Sequence, residues 1–376
     1  LIRIVMTLCL VMLSLSGCVP GQQIEQLGII TSYGVDLLDE EEGTLDNTIL
    51  YTQFDPEAPQ PMQTIESTSS TYLDAISAAN LKTSYKLVTG HISLKLFGKE
   101  MAEKGIMRLL SPHLRDAEEP ANIYIAVGEP TAKEILMSKG ITDVSKFLDQ
   151  LFENNIREEI LPKSNFMDFV HNVDDPGVDP IQPVITIKND KPVIDQIGLF
   201  QQDQYVASIS PDETFLVKLI IEDFRAGKRE IILPRAPFDP FIQNDTDEQP
   251  KEDLYLTLDE IRSSADISLE DKKQLHYQVN VDLEARLMES SEPIKIDSDK
   301  VLNLLETEMS RKFEEQYEQL TNKLKELNVD PIGFGTHYNA ETKHEDLTDE
   351  KWRELFPTTT INYNVNVNII RHGVIE

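Results

Sequence analysis

The chain has 376 residues and carries 66 Asp and Glu against 35 Lys and Arg, a formal charge of −31. A field this negative repels phosphate backbones and anionic lipid headgroups alike, so no nucleic acid is expected as a partner and electrostatic docking on a bilayer is disfavoured. With 40% hydrophobic residues the chain can still bury proper cores, unlike a disordered acidic polymer, and its length predicts two or three domains.

Residues 1–17 are expected to be a lipoprotein signal peptide that is removed. Ile4 to Leu15 has no charge and follows Arg3; twelve residues are too few to span a bilayer, which needs roughly 20, but suit the apolar core of a signal sequence. The junction Leu15-Ser16-Gly17-Cys18 has the form of a bacterial lipobox, in which the Cys18 thiol is acylated with diacylglycerol and the chain is cut just before it. Cys18 is therefore the expected lipid-attachment residue, and two acyl chains anchor stably where one is marginal. The other cysteine, Cys9, lies inside the removed segment, so no thiol remains for a disulfide, a nucleophile or a zinc site.

Residues 18–140 read as an N-terminal α/β domain. Ile24 to Asp36 and Thr48 to Phe54 are β-branched and aromatic and flank the acidic turn Asp39 to Gly43, which predicts a hairpin. A helix over Tyr72 to Leu81, a strand over His91 to Phe97, a helix over Lys99 to Leu110, a strand over Asn122 to Val127 and a helix over Pro130 to Met137 follow. Residues 141–235 predict a smaller middle domain: helices over Val144 to Glu159 and Asn165 to Asn172, the turn Asp174 to Pro180, a strand over Val184 to Lys188, a hairpin from Ile197 to Ile209, and a helix over Asp212 to Glu222. Residues 236–253, rich in proline and acid, read as a linker.

Residues 254–376 carry the strongest periodicity. Leu275 to Leu287 and Ile361 to Ile369 alternate strictly between apolar and polar residues, the second with Asn362, Asn364, Asn366 and Asn368 on its polar face, and both predict one-sided strands. Between them Val301, Leu305, Met309, Phe313, Tyr317, Leu320, Leu324 and Leu327 recur every three or four residues, which predicts one amphipathic helix from an N-cap at Asp297 or Ser298 to about Asn328. The whole predicts an α+β protein of three mixed α/β domains, the last an antiparallel sheet packed on a long amphipathic helix. Its solvated sheet face, or a free edge, could receive a partner.

No nucleophile elbow, P-loop, zincin or dinucleotide fingerprint occurs. Gly333-Phe334-Gly335 is too short to cradle phosphate and reads as a turn or a close approach. His337, His344, Glu345 and Asp346 have a metal-compatible composition without the spacing of one helix face. Asn244, Asp245, Asp247 and Glu248 lack the glycine of a calcium loop. Trp352 reads as core. No catalytic, cofactor or metal residue is assigned, and the reading is non-enzymatic.

Taken in order, several segments resemble the GerAC-like family, the C-subunit lipoproteins of spore-germination receptors. They are the lipobox at Cys18; Ile24-Glu25-Gln26-Leu27-Gly28 leading to Gly34-Val35-Asp36; Gly90-His91; Phe97-Gly98-Lys99-Glu100 with Gly105-Ile106; Arg115-Asp116; and Ala132-Lys133-Glu134-Ile135-Leu136. Gly198-Leu199-Phe200, Gly333-Phe334-Gly335, Trp352, Phe356-Pro357 and the last alternating strand complete the series. The residues after Cys18, Val19-Pro20-Gly21-Gln22, depart from the family's usual Trp-Asp and basic pair. The resemblance implies a non-enzymatic germinant-receptor subunit without a cofactor, lipid-anchored on the outer face of the endospore inner membrane beside integral-membrane A and B subunits. The alternative is a substrate-binding lipoprotein of a nutrient importer.

Overall fold

The computed structural model describes residues 23–54, 62–116, 118–225, 227–243, 252–296, 299–342 and 347–372. The predicted signal segment, Cys18, the acidic run at 244–251, the expected N-cap at 297–298 and the His344, Glu345 and Asp346 cluster lie outside them.

The first sheet takes nine strands: β1 (Leu27–Asp39), β2 (Thr44–Gln53), β3 (Met62–Ser69), β4 (Lys86–Val88), β5 (Leu94–Gly98), β6 (Tyr124–Gly128), β7 (Ile181–Lys188), β8 (Lys191–Gln201) and β9 (Gln204–Ile209). Their order is β3-β2-β1-β5-β6-β7-β8-β9, with β4 also paired to β1. The centre, β1-β5-β6-β7, is parallel and each flank is an antiparallel hairpin. Parallel strands need crossovers, and the crossovers put α1 (Tyr72–Asn80), α2 (Lys99–Glu103), α3 (Met107–Leu110), α4 (Ala132–Leu136), α5 (Val144–Arg157) and α6 (Phe166–Asp174) on the sheet faces. The helix expected over Lys99 to Leu110 is two helices, because the chain turns left-handed at Gly105, φ +95°. Pro130 falls before the next helix, whose N-cap is Thr131. The sheet runs across the expected boundary between 140 and 141, since β7, β8 and β9 extend the sheet that β1 begins.

Two of the glycines in the sequence series serve close approaches. A Cβ on Gly34 would lie 2.6 Å from Leu136 Cδ1. One on Gly98 would collide with Asp36, whose carboxylate accepts the N–H groups of Ala132 (2.8 Å) and Lys133 (2.9 Å) at the start of α4. Burial raises the Asp36 carboxyl above its ordinary range while those two donors draw it down.

The second sheet has the order β10 (Arg229–Pro234), β11 (Asp253–Asp271), β12 (His276–Ser290) and β13 (Thr360–His372). Its buried face lies on α8 (Asp299–Leu327), the long helix expected from the periodicity, with Phe313 and Leu320 buried at 3% and 2% exposure. The α+β class and the sheet-on-helix arrangement stand, with one departure: β12 and β13 are parallel, while the other two pairs are antiparallel. The reason is length. The 29 residues of α8 run about 43 Å at about 1.5 Å each, close to the length of β12, so they carry the chain back to the start of that strand.

Between the sheets sits α7 (Pro211–Ile221), started by a capping box of Ser210 and Glu213 with Pro211 in the first turn. It is buried nearly all round, as a helix enclosed by core must be. Phe215 meets Phe313 at 6.4 Å between ring centroids, Tyr317 donates to the Leu216 carbonyl (3.1 Å), and Ser263 donates to that of Leu219 (3.2 Å). One apolar cluster therefore runs from the first sheet through α7 into the second. Phe313→Ala or Leu320→Ala should each cost about 2–5 kcal/mol, read as a lowered thermal midpoint; unchanged midpoints in both would show that the stripe is not core.

Candidate functional site

The densest polar arrangement among the described residues is a clasp between the turn before β7 and the segment after α8. Asp330 is 0% exposed. Its carboxylate accepts the N–H groups of Gly333 (2.8 Å) and Gly335 (3.0 Å) and the indole N–H of Trp352 (3.1 Å). Its own N–H donates to the Asp179 carboxylate (2.7 Å), and the Asp179 N–H donates back to the Asp330 carbonyl (2.8 Å). The Arg353 guanidinium forks onto both Asp179 oxygens and also donates to the Asn328 carbonyl (2.8 Å).

Two glycines permit this. Gly177, at φ +102°, and Gly335 touch backbone to backbone, so that a Cβ on Gly177 would lie 2.4 Å from the Gly335 carbonyl carbon. Gly333 turns left-handed, φ +85°, to bring its N–H back to Asp330. The turn Asp174 to Pro180, Gly333-Phe334-Gly335 and Trp352 thus meet at one point. Turn and close packing are the use that the structure makes of the glycine pair, and Trp352, 1% exposed, is core. Burial pushes the Asp330 carboxyl up to about 7, with the Asp179 charge adding to the rise and the N–H donors opposing it.

This clasp is structural. Its carboxylates are consumed by backbone and indole donors, and among the described residues no group of three or more His, Asp or Glu could hold a metal ion. His337 lies exposed on α9 (Phe334–Thr342), and partial desolvation of its ring holds it below the ordinary histidine range.

The surface open to a partner is the outer face of the second sheet. Asn364 donates to Asn280 (3.2 Å), Asn366 donates to Asp282 (3.1 Å), and Asn362 pairs with the His276 ring (2.8 Å), forming a polar ladder across β12 and β13. Asn362, Asn364 and Asn366 are exposed. The edge of the sheet is a different matter. The N–H groups of Val365, Val367 and Ile369 donate to Glu314 (3.1 Å), Ser310 (3.1 Å) and Glu306 (2.8 Å) of α8. Four residues of helix rise about 6 Å and two of strand about 6.6 Å, so a helix stripe at spacing four can answer alternate strand amides. The expectation of a free edge is corrected for β13: α8 occupies it.

Two matches to family models divide the chain. Residues 21–187 match the spore germination protein N-terminal domain, and residues 195–373 match the spore germination B3/GerAC-like C-terminal domain. Spore germination protein GerQC of Bacillus cereus is 21% identical over 365 residues, covering 96% of each chain. The crystal structure of the GerBC protein superposes with a TM-score of 0.54 at 14% identity, over 93% of this chain and 100% of that one, and shares the fold.

Arg353→Met should cost about 3–5 kcal/mol, because it leaves Asp179 buried without its cation, and adding Asp179→Asn should return part of that loss. Calorimetry of the two variants measures it. A carboxyl raised in the folded state stabilises fully below its unfolded value, and that contribution is lost as pH rises through about 7. The stability advantage of the native chain over Asp330→Asn should therefore shrink between pH 5 and pH 8; a gap that widens would contradict this assignment.

Proposed function

The chain belongs to the GerAC-like family of spore germination proteins, and on that premise we propose that it is the lipid-anchored C subunit of a nutrient-germinant receptor. It acts by assembly: the acyl chains at Cys18 hold the body at the outer face of the endospore inner membrane, where its surfaces meet the integral-membrane A and B subunits. The observation that carries this reading is the match of both family models, which together span residues 21–187 and 195–373. Three features support it. Among the described residues no helix is long and apolar enough to cross a membrane, and Leu15-Ser16-Gly17-Cys18 has the form of a lipid-attachment site. The buried polar groups of the clasp are committed to holding two halves of the fold together. The polar outer face of the second sheet remains open while the β13 edge beside it is closed, which favours docking through side chains over strand addition.

The importer-lipoprotein alternative calls for two similar lobes around a cleft. Here a nine-stranded and a four-stranded sheet share one continuous core.

Cys18→Ala should leave a folded body that washes off spore membranes in high salt; retention through the wash would show that the anchor lies elsewhere. The partner face is tested by a grouped variant, Gln278, Asn280, Asn364 and Asn366 all to Ala, because single rim changes cost little. Fewer co-purified polytopic membrane proteins, with an unchanged thermal midpoint, is the expected result. A normal complex would move the docking surface elsewhere.

A further inference from the structure

Residues 75–99 contain no Asp or Glu, in a chain that carries 66 of them, and they hold four lysines. This stretch includes the turn after α1 and all of β4, and the pairing of the strands places both at the end of the first sheet where β1 begins. Leu27, the first residue of β1, pairs with Lys86 of β4, and Gly28 pairs with Gln53, the last residue of β2. The turn is tied to the same end. The Leu87 N–H donates to the Asn80 side chain (3.0 Å), and the Tyr51 and Thr83 hydroxyls meet at 3.2 Å.

Three large apolar side chains are exposed here, Leu81 at 89% and Ile24 and Phe54 each at 48%. Lys82 and Lys86 are exposed beside them, as is Glu25. The Lys82 ammonium also donates to the Glu66 carbonyl (2.7 Å). A single exposed Leu or Ile is ordinary on a protein surface. What sets this group apart is its distance from the expected anchor. Five peptide links join Cys18 to Gln23, and five links reach about 18 Å at most. β1 runs the other way for 13 residues, about 40 Å, and carries Leu38 to the far end.

We propose that this end of the first sheet sits in the headgroup region of the bilayer, with Ile24, Phe54 and Leu81 at the acyl boundary and the Lys82 and Lys86 ammonium groups on lipid phosphates. The proposal rests on the Cys18 anchor and adds to it a contact face and an orientation. A chain at −31 is repelled by an anionic surface, so it approaches one best by an end where acids are sparse and apolar area faces outward. Basic side chains gain from the negative surface of a bilayer, but that gain fades within about 10 Å, so two lysines count only where something already holds them close. The tether does this: it raises the local concentration of this end at the membrane until contacts too weak to recruit the free body can form. A body without its anchor still washes off, as expected for Cys18→Ala.

Fluorescence quenching by brominated lipid tests the contact. The chain starting at Cys18 is coupled through that thiol, its only one, to a maleimide lipid in vesicles of phosphatidylglycerol and phosphatidylcholine, the latter brominated on its acyl chains. Trp352, the one native tryptophan, is core and gives a constant background. Tryptophan is introduced singly by Leu81→Trp, by Phe54→Trp and, at the far end of β1, by Leu38→Trp. Bromine should quench the first two at least threefold more than the third, and adding Lys82→Gln and Lys86→Gln to Leu81→Trp should reduce its quenching at least twofold. Equal quenching at all three positions, stronger quenching at position 38, or none at any would overturn the contact face. Quenching at position 81 untouched by the lysine changes would overturn the phosphate contacts. Because the tether is chemical, these results do not depend on whether cells acylate Cys18, which the mass of the amino-terminal peptide from spore membranes reads separately.

Discussion

A buried carboxylate shared between two distant parts of the chain is the constraint on which the structure turns. Asp330 has no access to water, so its oxygens must be answered by protein donors, and three of those donors, Gly333, Gly335 and Trp352, come from the segment that follows it. That folds the segment after α8 into a compact knot whose outer side presents the Asp330 N–H and carbonyl to Asp179. Asp179 in turn needs a cation, and Arg353 supplies a forked one. Without this chain of obligations the two sheets would be joined around α7 by apolar contacts, which fix burial but not orientation, and by scattered hydrogen bonds such as those of Tyr317 and Ser263.

In the clasp the polar groups are committed to holding the fold together. The Asp179 and Asp330 carboxylates each face structural donors. The β13 edge is closed by Glu306, Ser310 and Glu314, which protects the sheet from indiscriminate pairing while its Asn-lined outer face stays open to solvent.

Much of this was legible in the sequence where periodicity carried it. The stripe from Val301 to Leu324 predicted α8 and its buried face, and strict alternation predicted β12 and β13. β11 was missed because its alternation breaks at a bulge around Glu260, φ +51°, and its inward positions include the small residues Ser263 and Ala265. The role of the stripe Glu306, Ser310 and Glu314 had no local signal, since periodicity shows that a face is polar, not what answers it. For the clasp, each part was visible and the pairing was not, since Asp179 and Asp330 are 151 residues apart and no local pattern links them.

The central claim is that the clasp makes two sheets one body. Native-state hydrogen exchange measures it directly, through the amides of Asp330, Gly333 and Gly335 compared with those at the centres of β5 and β12. If the account is right, the clasp amides exchange only through the same global opening as both sheets, with matching protection. Fast exchange at the clasp while both sheets stay protected would show two bodies loosely joined and would contradict it.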